Sequence, residues 1–269
     1  MRFSERFRVR PGKKVRLGNW DPDDTAGFPD KDSVQARGEK YLRRLSELEY
    51  VLYAENRRSV LVVLQAMDAG GKDGAIRHIT GPLNPQSSKV ISFKTPSEEE
   101  LAHDFLWRVH YVTPRRGEIR IFNRSHYEDV LIARVHNLVP QAVWSKRYDQ
   151  INAFEKILAQ NDTLVLKFYL HISKDEQLER FRARIEDPSK NWKLNPSDFE
   201  DRKRWDDYIR AYEAVLSKCS TPQAPWYIIP ANKKWFRNYA IAEILVEHLS
   251  SLRMTFPKPA VDLSKIELE

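Results

Sequence analysis

Four of the nine glycines fall between residues 70 and 81, directly after the apolar run SVLVVLQAM (59–67). The segment Asp68-Ala69-Gly70-Gly71-Lys72-Asp73-Gly74 therefore joins a buried strand to whatever follows through a glycine-rich turn ending in a lysine. Strand, glycine turn, lysine and helix together make a cradle for phosphate. Backbone N–H groups and the helix N-terminus face the anion, and the ammonium neutralises it. Glycine lets the backbone turn tightly and approach the phosphate oxygens. Ala69, Gly70, Gly71, Lys72, Asp73 and Gly74 are the candidate phosphate-binding residues. The pattern departs from GxxxxGK[ST] at two positions: Ala66 stands at the first glycine, and Asp73 replaces the hydroxyl residue that normally holds Mg²⁺. Asp68, a carboxylate inside the loop, is then a candidate to bind the metal or to orient a nucleophile. A plain glycine-rich turn with a solvated lysine is the simpler alternative.

A second cluster, Asn123-Arg124-Ser125-His126-Tyr127-Glu128-Asp129, follows the strand-like GEIRIFN (117–123). In enzymes with a phosphate loop, a strand beside the first ends in an acid that reaches Mg²⁺ directly or through water. Here Asn123 holds the strand end, where it could order a metal-bound water, and the acids come later. Glu128 could reach the metal or its water shell, making Asp68 and Glu128 the candidate metal ligands. The spacing from Ser125 to Glu128 also reads as a helix capping box. Arg115 and Arg116 open the same strand, either as polyanion contacts or as a solvated basic turn.

A third stretch is dense in cations: Arg180, Arg182, Arg184, Lys190, Lys193, Arg202, Lys203 and Arg204, with Trp192 and Trp205 among them. A mobile cationic lid suits phosphoryl transfer, since closing excludes water and supplies charge to the transferring group. The interleaved Glu186, Asp187, Asp198, Glu200 and Asp201 would equally suit a charged solvent face. Asp68, Lys72, Asn123, Arg124, Glu128 and Arg182 form the candidate catalytic set. No Ser-His-Asp, Cys-His or HRD-type pattern supplies a strong base. A phosphate oxygen is already anionic near neutral pH and needs none, which favours a phosphate acceptor over an alcohol.

The elements that must position these groups alternate. A long amphipathic helix over 33–57 precedes strands at 59–67, 89–94, 117–123, 163–172 and 225–231. A short helix is expected after the glycine turn, to about Thr80, and others at 97–110, 126–136, 141–160, 174–186 and 198–218, with a last one ending near Leu252. Strands alternating with helices imply βαβ units and a mainly parallel sheet. The expectation is one α/β domain of 269 residues: 1–57 an arm and helix, 58–173 the phosphate-loop core, 174–218 a helical lid, 219–269 the last strand, helix and tail.

Bulk properties narrow the function classes. Hydrophobic residues at 41% and charged residues at 31% suit a globular protein with a sizeable core. No apolar run approaches the ~18 residues of a membrane span, and the opening MRFSERFRVR lacks a secretory pattern, so a cytoplasmic protein is expected. One cysteine, Cys219, excludes an internal disulfide and any multi-cysteine metal site. A net charge of +7 and a pI near 9.3 suggest an anionic partner.

Five motifs together resemble the polyphosphate kinase type 2 family: QAMDAGGKDG (65–74), FKTPSEEELAHDFLWRVH (93–110), PRRGEIRIFNRSHYEDVL (114–131), DPSKNWKLNPSDFEDRKRWDDYIRAY (187–212) and APWYIIPANKKW (224–235). The resemblance runs from DPDDTAGF (21–28) to the last helix. It implies a three-layer α/β/α fold of the thymidylate-kinase-like P-loop type, with a five-stranded mainly parallel sheet, an N-terminal helical arm and a helical lid. It also implies Mg²⁺ (or Mn²⁺), inorganic polyphosphate as phosphoryl donor, AMP, ADP and ATP as nucleotides, and a homo-oligomer. Asp68 and Lys72 match the family's loop acid and lysine, and Asn123, Arg124 and Ser125 its strand-end motif. The Asn form followed by Glu128 resembles the branch that accepts both AMP and ADP, often called class III. Lys190, Lys193 and the Arg115-Arg116 pair are the expected polyphosphate contacts. His126 stands where many members carry Trp. Two rivals remain at this point: an ATP-dependent nucleoside monophosphate kinase on the same fold, and a basic nucleic-acid-binding protein using the arm RFRVRPGKKVR. No recognised nucleic-acid module is visible, so no specific nucleic acid is expected as partner, nor a membrane.

Overall fold

The computed structural model describes residues 2–266. Five strands, β1 (Ser59–Ala66), β2 (Ser88–Ser92), β3 (Ile119–Asn123), β4 (Thr163–His171) and β5 (Trp226–Pro230), form one sheet in the order β2-β3-β1-β4-β5. Every pairing is parallel, with Val60 beside Ile119 and Leu164, and Lys167 beside Trp226. The helices are α1 (Phe3–Arg6), α2 (Asp32–Glu55), α3 (Lys72–Thr80), α4 (Glu98–Ala102), α5 (Trp107–Tyr111), α6 (Ile132–Val135), α7 (Gln141–Gln160), α8 (Lys174–Glu186), α9 (Pro196–Lys203), α10 (Trp205–Lys218) and α11 (Lys234–Ser251).

The central strand β1 is buried at all eight positions, which is why its sequence is a continuous apolar run rather than an alternating one. Leu45 of α2, Ile79 of α3 and Leu245 and Leu249 of α11 meet Val60 and Val62 on one face. On the other face α7 and α10 reach β4, where Tyr169 stacks on Tyr212 with centroids 4.5 Å apart. This is the α/β class with helices on both faces of a parallel sheet.

Three segments read as single helices are broken, each for a local reason. Residues 97–110 divide into α4 and α5. Ser97 starts α4 through a capping box with Glu100, and the Asp104 carboxylate then accepts the Leu106 N–H at 2.9 Å, an Asx turn that restarts the chain. Residues 126–136 divide into a 3₁₀ turn, His126–Asp129, and α6. Residues 198–218 divide at Arg204, whose guanidinium donates to the Val135 carbonyl at 3.0 Å.

The N-terminal arm completes the sheet. Val9 N–H donates to the Trp226 carbonyl at 2.8 Å and Ile228 N–H to the Phe7 carbonyl at 2.9 Å, an antiparallel bridge along the free edge of β5. Phe3 and Phe7 pack edge-to-face on Phe236 of α11, at 5.6 and 5.9 Å. The edge is thereby covered, as an exposed strand edge must be. The tail runs irregularly to a short 3₁₀ turn at Leu263–Lys265.

Beneath the sheet lies a sealed polar cluster. Lys167 on β4 donates to Glu155 of α7 at 2.5 Å, to Tyr127 Oη at 2.8 Å and to the Cys219 carbonyl at 2.6 Å. Glu155 also accepts from Tyr127 at 2.7 Å and pairs with His126 Nε2 at 3.1 Å. Burial alone would push the Glu155 carboxyl up, but Lys167 and His126 hold it below its ordinary value. Burial pushes His126 down toward the neutral imidazole. Removing one partner of such a pair strands a buried charge. Lys167→Met is expected to cost about 3–5 kcal/mol, and Lys167→Met/Glu155→Met to recover much of that. Urea denaturation checks both, and a single-variant loss below about 1 kcal/mol would count against the pairing.

Candidate active site

The phosphate loop leaves β1 at Ala66 and enters α3 at Lys72. Two of its residues take left-handed conformations, Ala69 at φ 58° and Gly71 at φ 94°. Gly71 is required twice over: by that angle, and because a Cβ there would lie 2.1 Å from Nη1 of Arg237. Gly70 has no room either, since its Cβ would fall 2.5 Å from Ala66 Cβ and 2.7 Å from the Met67 carbonyl. Lys72 curls back so that Nζ donates to the Ala66 carbonyl at 3.0 Å. Burial, then the nearby Arg124, holds the ammonium below its usual pKa.

Residues from the second cluster close around this loop. The backbone turns sharply after β3, with Arg124 itself at φ 63°, a strained position for a side-chain-bearing residue. The turn aims its guanidinium at Asp68 Oδ1, 3.2 Å away. Burial opposes the Arg124 charge, but the Glu128 and Asp68 carboxylates outweigh it and raise its pKa. Asn123 Nδ2 donates to Asp73 Oδ1 at 2.9 Å, joining the end of β3 to the residue that replaces the motif's hydroxyl. Ser125 caps the 3₁₀ turn by accepting the Tyr127 N–H and also accepts from Gln65. Glu128 does not complete a capping box. It lines a small cavity of about 30 Å³ with Asp68, Arg124, Asp201, Tyr208 and Tyr212, and burial raises its pKa against the pull of Arg124 and Lys72.

Above the loop opens a cavity of about 680 Å³ at the carboxyl ends of the strands. Eight cationic side chains line it, Lys72, Lys94, Arg124, Arg180, Arg184, Lys190, Lys193 and Lys234, against only three acids, Asp68, Asp73 and Asp198. Asp68, Lys72, Asn123, Arg124, Lys190 and Lys193 are therefore brought together with the whole turn from Ala69 to Gly74, and Glu128 joins them through the smaller cavity.

Three expected residues are not. Arg182 lies on α8 but pairs with Glu179 at 2.6 Å and is 59% exposed. The cavity is faced instead by Arg180 and Arg184, one helical turn apart, and a residue two positions off that stripe points elsewhere. Arg115 and Arg116 precede β3 and are exposed. Gly117 beside them bonds the Arg58 carbonyl at the start of β1. That is the opposite end of the sheet from the loop, a strand length or roughly 20 Å away. The placement does not suit a polyanion contact in this cavity. His126 is fully buried against Glu155 and Phe154, so it offers no stacking surface.

Arg180 lines the cavity, and Arg237 lies against the phosphate loop at Gly71 and Gly74. Arg180 donates to the Ala69 carbonyl at 2.9 Å, to Ala231 at 2.5 Å and to Asn232 at 3.2 Å, with Glu176 as its ion-pair partner at 2.7 Å. It ties the phosphate loop to the chain leaving β5. Arg237, 3% exposed, donates to the Asn238 side chain, and no carboxylate pairs with it among the described residues. Burial and the neighbouring Arg180 lower its pKa to about 10. Lys94, Lys234 and Arg237 escaped sequence reasoning. Lys94 and Lys234 follow β2 and β5, and the rule that ligands bind beyond the carboxyl ends of parallel strands would have found them. Arg237 carries no such signal.

The two carboxylates Asp68 and Glu128 would suit a cation of the Mg²⁺ kind. Such ions use one or two carboxylates with phosphate oxygens and water completing the shell. Asp68 and Glu128 share the small cavity, and among the described residues no group of three or more His, Cys, Asp or Glu could hold a metal ion unaided.

The family sequence model described as polyphosphate kinase 2 matches residues 29–257. This chain belongs to that family. It is 52% identical over 266 residues to the AMP/ADP-polyphosphate phosphotransferase of Meiothermus ruber, covering 98% of this chain and all of that one. It is 45% identical over 267 residues to the ADP-polyphosphate phosphotransferase of Rhodopseudomonas palustris, covering 95% of this chain and 92% of that one. The crystal structure of polyphosphate kinase 2 from Arthrobacter aurescens superposes with a TM-score of 0.94 at 40% identity, over 98% of this chain and 94% of that one.

Two predictions follow from the site's charges. Arg237→Met removes an unpaired buried cation, so the ligand-free protein is expected to melt at the same temperature or higher, while the melting shift produced by tripolyphosphate shrinks. Differential scanning fluorimetry with and without that anion reads both. Arg184→Ala is expected to raise the apparent Kd for tripolyphosphate at least about tenfold, as loss of one charge-assisted contact does. Arg182→Ala should change it less than about twofold, as measured by isothermal titration.

Proposed function

We propose that this chain is a phosphotransferase that moves phosphoryl groups between inorganic polyphosphate and adenine nucleotides, converting AMP to ADP and ADP to ATP, with Mg²⁺ or Mn²⁺ as cofactor. The observation that carries the reading is the cavity over the phosphate loop with its eight cations and three acids. A site so far from neutrality suits a ligand richer in negative charge than a single nucleotide. The names of the relatives, polyphosphate phosphotransferases acting with AMP and ADP, support the same substrates.

The geometry suggests how each residue contributes. Backbone N–H groups from Ala69 to Gly74 and the Lys72 ammonium would seat the phosphoryl group being transferred. Arg124, held by Asp68, would lie against the spreading negative charge together with Arg184, Lys190 and Lys193. Asp68 and Glu128 would hold the metal, whose contribution when bound would be to neutralise phosphate charge. The attacking phosphate oxygen needs no strong base, so catalysis rests on positioning and charge neutralisation. Asn123, paired with Asp73, would keep the latter from the loop's phosphate oxygens.

No described helix is long and apolar enough to cross a membrane. A cytoplasmic location and a homo-oligomer remain part of this reading. The exposed Trp107, Tyr111 and Ile157, which line one open groove, support self-association, and light scattering at several concentrations checks it.

The test is an ATP-free assay with Mg²⁺, long-chain polyphosphate and either ADP or AMP, products resolved by anion exchange. ATP is expected from ADP, and ADP then ATP from AMP, with polyphosphate-free runs as the control for transfer between nucleotides. Lys72→Ala and Asp68→Ala should each lower turnover on the order of 10²-fold or more. Activity with ATP and a monophosphate but none with polyphosphate would refute the reading in favour of an ordinary nucleotide kinase.

A further inference from the structure

Of the seven tryptophans in the chain, Trp192 is the most exposed, at 77%. It stands on a 3₁₀ turn, Asn191–Lys193, between α8 and α9, and lines the large cavity. The turn that carries it is firmly tied. Asn191 Nδ2 donates to the Arg184 and Ile185 carbonyls at 2.7 and 3.0 Å, sealing the end of α8, and the Leu194 N–H donates back to the Asn191 carbonyl at 3.0 Å. A large apolar ring is thus held in water by a turn with several anchors.

The chemistry of what it can bind follows from which of its atoms are used. Indole has one polar atom, a donor, and Trp192 Nε1 already donates to the Ser189 carbonyl at 2.9 Å. The Lys193 ammonium lies 5.2 Å from the ring centroid, which leaves the rest of the π-surface to a ligand. Polyphosphate is polar on every side and has no surface to lay on a ring. A nucleotide carries a flat base as well as phosphates, and stacking between a base and an aromatic ring is favourable for any base, because each has a π-face.

We propose that Trp192 is the stacking platform for the base of the acceptor nucleotide, and that it sets a preference for purines by contact area rather than by hydrogen-bond readout. The assignment rests on the reading above that a nucleotide is the acceptor. It makes Trp192 a specificity-determining residue, and it separates the two substrates within one cavity: the base on the lid turn, the polyanion on the cations.

Steady-state kinetics with polyphosphate test it. Trp192→Ala is expected to raise the nucleotide KM by about 5- to 100-fold, while the polyphosphate KM stays within about twofold. Trp192→Phe should keep most of the nucleotide affinity, and the gap between ADP and CDP as acceptors should narrow in the alanine variant. A second arm needs no turnover: AMP titrated without polyphosphate should quench the indole emission of the wild type, and the quenched component should be missing from Trp192→Phe. Were the wild type inactive with polyphosphate, the transfer reading would fall while this quenching still decided the role of Trp192. A polyphosphate KM that rises with the nucleotide KM unmoved overturns the proposal. So does AMP saturation that leaves the Trp192 emission unchanged.

Discussion

Like charges gathered in one place repel, and the architecture of this chain is arranged around holding such a gathering still. The carboxyl ends of parallel strands converge on a single cavity whose cations outnumber its acids eight to three. Arg180 and Arg237 press against the underside of the phosphate loop, one tied to three backbone carbonyls and the other to a neutral side chain. Arg124 is kept in a left-handed turn so that it meets Asp68. Each device fixes a positive group beside the phosphate loop, and Arg237 is held there with no carboxylate partner among the described residues. The field is preorganised, and an anionic ligand finds the reorganisation already done.

The sealed cluster below the sheet serves that arrangement at one remove. Tyr127 and His126, on the 3₁₀ turn that follows Arg124 and also carries Glu128, are both anchored to Glu155, and Glu155 is anchored to Lys167 of β4. The turn therefore has a rigid base of charge-assisted hydrogen bonds, which are the strong kind. A site built on such a base keeps its side chains within the small tolerances that phosphoryl transfer demands.

Much of this was legible in the residue order. The continuous apolar run of β1, the glycine turn and the lysine declare the loop, and alternation of strand and helix patterns declares the parallel sheet. The reading failed where local chemistry overrode periodicity: Asp104 and Arg204 each end a helix whose apolar spacing runs on. It failed also where charge was counted without direction. Arg182 and Arg184 are alike in composition, yet only Arg184 faces the cavity. Arg115 and Arg116 belong to the right strand and the wrong end of it. Left-handed Ala69 and Arg124 leave no mark on the sequence at all, since neither residue type is chosen for that conformation.

The covering of the β5 edge has a consequence for how the chain comes into being. The segment that closes the sheet is made long before its partner, as the contact between Arg8 and Pro222, 214 residues apart, illustrates. During synthesis the arm emerges and waits, while β5 does not yet exist. The last seam of the sheet can be sewn only after β5 has left the ribosome, and contacts so distant in sequence are slow to form. For that interval the nascent protein carries an open strand edge, the surface on which chains of this kind associate wrongly. The long stretch of chain between the arm and β5 thus places the risk of misassembly at the closing of the sheet.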